Sequence, residues 1–401
     1  MTDTFEMDLS IASDVDDEAL DIISFKSVDE IERSIVETPF RAIYQTNNFL
    51  LPQIKDIVDE ERTVNLRPEY QRRSRWTLKQ KSLLIESFLL NIPVPPIFLF
   101  ENEFARYEVM DGQQRLLAIK EFFSGNYKLS SLSVLAPLNG RTYSQLPLRT
   151  RRTLERASLS AIVLLKESRS ALRESSTQRI LELRKFVFER LNTGGKRLNA
   201  QEIRNAIFAG PFNEVVVALT RQSRFARIWG IPEYSASFDE RDYESPERKA
   251  NNLYRTMGDC EIALRFFALR RTSLIKGSMR SILDRCMETN LQMSNVEAGQ
   301  LFSEYEERLA LADDLFDQRP FRLSQGDRPP SVSMYDAVMV AIDRLWKDRA
   351  RIIARKAQVQ AAYWAALDTP EKVETFTGRA NTSSDVRARI VAMEKIIAAA
   401  L

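Results

Sequence analysis

A chain of 401 residues that is 44% hydrophobic and 28% charged can bury more than one core, and its length favours two or three domains. It contains no histidine. The commonest general base and the commonest metal ligand are therefore both missing, and histidine-dependent nuclease, protease and phosphatase mechanisms are excluded. The net charge of +2 conceals an asymmetry: residues 1–40 hold twelve Asp or Glu against Lys26 and Arg33, a balance of −10, which leaves +12 on residues 41–401.

The acidic stretch 1–40 reads as a mobile, solvated tail, with a tail folded over a basic groove in competition with nucleic acid as the alternative. No apolar run is long enough to span a bilayer, and the acidic start is unlike a signal peptide, so the chain reads as a cytoplasmic protein with no membrane partner. Cys260 and Cys286 stand alone in helical patterns and read as buried small side chains, not as zinc ligands.

In chain order, the spacing of Leu51, Ile54, Ile57 and Val58 predicts a helix face, followed by a short strand at "TVNL". Thr77 and Gln80 form a T-x-x-Q capping box that opens the helix "LKQKSLLIESFLLN", which stops before the prolines of "IPVPP". Two strands are predicted at Ile97–Phe100 and Tyr107–Met110, then the turn "DGQQR" and a helix. A basic helix at "LRTRRTLERA" precedes a buried strand in "LSAIVLLK". The helix through "RILELRKFVFERLN" runs into Thr193–Lys196, and Asn199 with Glu202 caps the next one. From Pro211 onward the pattern is helical, with loops near 231–252 and 318–330. The fold class is α+β: an acidic tail at 1–40, a small mixed α/β domain at 41–210 and a helical domain at 211–401.

Three stretches carry candidate chemistry. A helix that starts after Gly112 turns unpaired N–H groups and the positive end of its dipole outward, which favours an anion. Gly112 lets backbone approach a ligand, and Arg115 offers a forked donor for two phosphate oxygens. Asp111 is the candidate for holding Mg²⁺ or orienting water, and Gln113 and Gln114 for positioning water or reading a base edge. The same five residues also suit an ordinary strand-to-helix turn capped by Asp111. "YQRRSRW" sets Arg72, Arg73 and Arg75 beside Tyr70 and Trp76, a mix of charge and aromatic faces suited to phosphate and base, though Trp76 alone reads as a core plug. In "ERLNTGGKRLNAQEIRNA", Gly194 and Gly195 permit an anion-binding nest with Lys196 and Arg197 alongside, or a plain helix end. Arg149, Arg151, Arg152 and Arg156 crowd two turns of the basic helix, either as a solvated face or as a DNA-binding surface.

Taken together, YQR with a following Trp, IPxPPIF, YEVxDGQQRLxA and FxRLNTGGxxLNAQEIRNA resemble the N-terminal GmrS-like domain of GmrSD-type modification-dependent restriction systems, over about residues 45–270. That domain is similar in fold to ParB and sulfiredoxin. The resemblance implies binding and hydrolysis of a nucleoside triphosphate with Mg²⁺, linked to DNA, in bacterial defence against phage. By motif position it implies a nucleotide site built from Asp111, Gly112, Gln113, Gln114 and Arg115, faced by Gln71 and Arg72 and closed by Asn192, Gly194, Gly195 and Lys196.

Two departures bear on this expectation. Many relatives follow DGQQR with a pair of threonines, where this chain has Leu117 and Ala118. The nuclease half of the full restriction enzymes uses a histidine-dependent HNH site, which a chain without histidine cannot contain. The leading expectation is an NTP-hydrolysing subunit that acts on DNA or beside a separate nuclease or defence-system subunit. The alternatives are a Mg²⁺-dependent DNA-nicking enzyme and a non-catalytic protein switched by nucleotide. The base of the nucleotide and any homo-oligomeric state are left open by the sequence.

Overall fold

The computed structural model describes residues 44–58, 63–66, 76–165, 186–187, 199–208, 210–234, 245–326, 328–368, 370–377 and 382–401. The acidic stretch 1–40 lies outside these residues, as do Gln71, Arg72, Asn192, Gly194, Gly195 and Lys196. The class is α+β, as the sequence predicts: one small sheet near the amino end of the described chain and helices thereafter.

The sheet has five strands in the order β1-β5-β3-β4-β2. They are β1 (Tyr44–Leu50), β2 (Val64–Asn65), β3 (Ile97–Glu103), β4 (Arg106–Asp111) and β5 (Ser158–Leu164). β1 runs antiparallel to β5, and β4 antiparallel to β3, while β5 is parallel to β3 and β2 to β4. Strand β1 is absent from the sequence reading. It lies at the sheet edge with most of its side chains exposed, so "YQTNNFL" shows none of the in-out alternation that marks a half-buried strand.

Four helices share one sheet face: α1 (Leu51–Ile57), α2 (Leu78–Leu89), α3 (Gln113–Phe123) and α4 (Leu148–Arg156). Ile97 and Leu99 of β3, Val109 of β4, and Leu159, Ala161 and Val163 of β5 point into this core, where they join Ile54, Ile85, Leu116, Ile119, Phe122 and Leu154. Alternate residues of the same strands, Phe100, Met110 and Leu164, point the other way and join a second core built by the helices beyond residue 199. The sheet is thus covered on both faces.

The helical part comprises α5 (Ala200–Ile207), α6 (Pro211–Thr220), α7 (Ser223–Trp229), α8 (Pro246–Ala250), α9 (Asn252–Arg255), α10 (Gly258–Arg270), α11 (Met279–Thr289), α12 (Asn295–Leu315), α13 (Val332–Arg344), α14 (Arg349–Ala354), α15 (Lys356–Ala365), α16 (Pro370–Thr377) and α17 (Ser383–Ala399). Helix α8 falls inside the stretch 231–252 that the sequence suggests is a loop; Pro246 at its start fixes φ where no N–H is needed. The described part of the loop expected at 318–330 carries no helix or strand. The caps foreseen at Thr77–Gln80 and Asn199–Glu202 form as reciprocal boxes. Both cysteines are buried and neither forms a disulfide among the described residues, and burial pushes the Cys286 thiol up to about 12. Among the described residues, no helix is long and apolar enough to cross a membrane.

Candidate functional site

Asp111 is the last residue of β4, and Gly112 is the N-cap of α3 with φ 97 and ψ 8, in the left-handed region that glycine enters without strain. A side chain there would also collide with the sheet, since a Cβ on Gly112 would lie 2.3 Å from Cγ2 of Ile97. The helix has no side-chain cap, so Asp111 does not cap it, contrary to the ordinary reading of the turn. Packing holds α3 in place instead. Leu116, Ile119 and Phe122 are each fully buried, contributing about 1.5–3 kcal/mol apiece, against the ~1 kcal/mol that a cap would add. The amino end of the helix is left for backbone N–H groups alone, the arrangement that suits an anion.

The side chains of the turn are engaged with three other segments. Arg115 donates from Nη2 to Oδ2 of Asp111 at 2.5 Å and from Nη1 to the carbonyls of Pro95 and Pro96, the latter at 3.0 Å. Its side chain is 12% exposed and that of Asp111 is 56% exposed, so the pair presents its carboxylate to solvent and keeps its guanidinium inside. Gln113 is buried and donates from Nε2 to the carbonyl of Leu66 at 2.9 Å. Gln114 accepts at Oε1 from the backbone N–H of Trp76 at 3.0 Å, and Trp76 packs against the core.

Consecutive glutamines therefore hold the two described residues that flank 67–75, the stretch carrying Gln71 and Arg72. Sequence reasoning assigns the glutamines to water or base and does not foresee this anchoring. Nor does it foresee the partners of Arg115, which lie 19 and 20 residues earlier in the chain.

Strand directions gather these groups at one end of the sheet. β4 ends there at Asp111 and β2 leads into Leu66, while β3 begins there after Pro95 and Pro96. β5 also begins at that end, because Ile97 pairs with Ala161 and leaves Ser158 three residues, or about 10 Å, further out. Arg156, the last residue of α4, precedes β5 by two residues and so stands at the same end.

Of the four arginines singled out on α4, Arg149, Arg152 and Arg156 are exposed and follow i, i+3, i+7 spacing, opposite the buried Leu154. Arg151 is different: it is half-buried, and its Nε is inaccessible and makes no hydrogen bond among the described residues. Tyr143 donates to Glu155 at 2.8 Å beside it, and burial together with that bond pushes the phenol up to about 12.

The described end of the third motif is structural. In α5, Arg204 is 2% exposed and reaches Asp284 at 2.7 Å, Glu261 at 3.3 Å and Gln201 at 3.0 Å. Gln201 bonds Asn205 at 2.9 Å, and Asn199 donates to the carbonyl of Thr256 at 2.8 Å. The "LNAQEIRNA" residues thereby lock α5 to α10, α11 and the turn at Thr256.

Among the described residues, no group of three or more Cys, Asp or Glu side chains is gathered so as to hold a metal ion. A Mg²⁺ ion at Asp111 would have to complete its shell from phosphate oxygens and water, which is how Mg²⁺ commonly binds beside nucleotides.

No curated protein and no solved structure is significantly similar to this chain. A family model does match: residues 54–209 fit the family described as GmrSD restriction endonuclease, N-terminal domain. The matched span contains the IPVPP segment, the DGQQR turn, the α4 arginines and the LNAQEIRNA helix. Over residues 54–209 the chain is thus similar to a GmrSD-type N-terminal domain.

Proposed function

We propose that this protein binds and hydrolyses a nucleoside triphosphate at the Asp111–Arg115 turn, as part of a DNA-associated bacterial restriction or anti-phage defence system. The observation that carries this reading is the uncapped amino end of α3, set at the sheet end with an exposed carboxylate on one side and a guanidinium on the other. Phosphate oxygens would meet backbone N–H groups and replace the Asp111 carboxylate on Arg115, and the freed carboxylate would then face the Mg²⁺ ion that accompanies the nucleotide. The restriction-family domain supports the link to defence and to DNA.

A second reading, nucleotide binding as a switch without turnover, is favoured by the two glutamines. One atom of each amide is already engaged, Nε2 of Gln113 with Leu66 and Oε1 of Gln114 with Trp76, which restrains both side chains from turning to orient an attacking water in this arrangement. Leu117 and Ala118, without hydroxyls, add to it. Titration of the full chain with each NTP and Mg²⁺, followed by release of inorganic phosphate with and without DNA, tests both. Binding with phosphate release supports hydrolysis, binding without it supports the switch, and no binding of any NTP overturns the nucleotide site.

A further inference from the structure

We infer that the segment joining α13 to α15 docks the phosphate backbone of nucleic acid, at a surface of its own that stands whether or not the Asp111 turn binds nucleotide. From Arg344 to Lys356 the chain places six cationic side chains against one carboxylate, Asp348. A 3₁₀ turn at Trp346–Asp348 leads into α14, which is anchored by one buried side chain, Ile352. Every other position of α14 is exposed, so Arg349 and Arg351 radiate into solvent, with exposed Lys347 just before the helix and exposed Arg355 just after it.

Ion pairs within the fold account for three of these six charges and leave the other three. Arg344 is held by Glu394 at 3.0 Å, Lys356 by Asp317 at 2.6 Å, and Arg351 by Asp348 at 3.2 Å and the Leu401 carbonyl at 2.7 Å. The side chains of Lys347 and Arg355 make no hydrogen bond or ion pair among the described residues, and Arg349 donates to the Trp346 carbonyl at a long 3.3 Å. Arg351 and Arg355, four positions apart, repel one another. Like charges held together at this density, with Lys347, Arg349 and Arg355 lacking a carboxylate partner among the described residues, are matched by a polyanion.

The kind of polyanion follows from the side chains. Three of the four exposed cations are arginines, whose planar forks fit phosphate oxygens. The Trp346 ring has the Arg308 guanidinium 3.9 Å and the Arg349 guanidinium 5.4 Å from its centroid, a cation–π contact that holds Arg349 near the ring. An acidic protein partner would want an apolar centre, and the large apolar side chain exposed within the patch is Ile353 alone.

The test uses the full chain and a short labelled duplex, titrated over a range of NaCl. In the triple variant Lys347→Gln, Arg349→Gln, Arg355→Gln, the slope of log affinity against log salt should flatten by roughly 2.5–3 units, about 0.9 for each lost phosphate contact. Lys55→Gln, Lys79→Gln, Lys128→Gln removes the same charge from exposed positions elsewhere and should leave the slope nearly unchanged. Equal slopes in the wild type and the first variant, or an equal loss in both variants, would overturn the inference. Displacement of the duplex by polyglutamate as readily as by unlabelled duplex would overturn it in favour of an acidic protein partner.

Discussion

Gly112 and Ile97 occupy one another's space: the missing side chain of the glycine is filled by Cγ2 of the isoleucine, which would stand 2.3 Å from any Cβ placed there. Because Ile97 is a buried strand residue, the clash cannot be relieved by a rotamer change at the surface. Gly112→Ala should destabilise the protein by about 2–4 kcal/mol, from overpacking together with the left-handed φ. Ile97→Val removes the Cδ1 methyl but keeps Cγ2, so it should not rescue Gly112→Ala. Ile97→Ala, costly by itself at about 2–5 kcal/mol, should combine with Gly112→Ala for less than the sum of the two. Urea unfolding of the four proteins measures that coupling, and strict additivity would show that the contact does not govern the turn.

Arg115 has a structural and a proposed ligand role, which substitutions can separate. Arg115→Ala removes donors from the Pro95 and Pro96 carbonyls as well as from phosphate, so both stability and NTP affinity should fall, the affinity by roughly tenfold or more for a charge-assisted contact of about 1.5–3 kcal/mol. Asp111→Asn leaves Arg115 on the proline carbonyls and removes the carboxylate proposed to face Mg²⁺. Phosphate release should then drop far more than nucleotide affinity. Calorimetric titration with and without Mg²⁺ checks both, and unchanged NTP affinity in a folded Arg115 variant would remove this residue from the site.

The glutamine anchors predict a local effect. Gln114→Ala should free the Trp76 amide, raising its hydrogen exchange and changing indole emission, without lowering global stability by more than about 1.5 kcal/mol. Gln113→Leu should cost more, about 1–3 kcal/mol, because the buried amide is lost and the Leu66 carbonyl is left without its donor. Protection of the Trp76 amide that is identical in wild type and Gln114→Ala would dissolve the anchor.

On α4, neutralising Arg149 and Arg152 should flatten the salt dependence of duplex binding by about two units if both touch phosphate, whereas Arg151→Gln should change it little because that side chain is half-buried. Fluorescence anisotropy across a salt series distinguishes them. An Arg151 variant as defective as the other two would contradict the exposed-stripe geometry.

Burial of Cys286 gives a pH signature. Its folded pKa, about 12, lies above the ordinary thiol value of 9.0, so the folded state keeps the proton that an unfolded chain releases. This contribution to stability is full below pH 9 and declines as the pH rises from 9 toward 12. Native protein at pH 8 should resist thiol alkylation at Cys286 and react fully after denaturation, as mass spectrometry of the labelled chain would record.

Local chemistry made much of this architecture legible. The boxes at Thr77–Gln80 and Asn199–Glu202 announce helices within four residues of sequence, and the i, i+3, i+7 arginines of α4 follow from helical spacing alone. The turn at Gly112 was visible as a place where backbone must be free. What sequence could not supply were partners far along the chain: Leu66 for Gln113 and Trp76 for Gln114, 47 and 38 positions away, and Asp284 for Arg204, 80 positions away. Composition offered no sign of the edge strand β1 either, since an exposed strand carries no burial pattern to read.

The span recognised by homology is not a span that can stand alone. A fragment cut at 54 and 209 would begin inside α1 and discard β1, whose seven residues pair with β5 from Tyr44↔Leu164 to Leu50↔Ser158. Strand β5, "SLSAIVL", would then become a bare apolar edge, the kind that recruits other chains. The same cut keeps Arg204 but discards Asp284 and Glu261, stranding a buried cation, and it uncovers Phe100, Met110 and Leu164. The segment that fits the family model thus draws its solubility from its flanks, and the piece that can be matched is smaller than the piece that can fold.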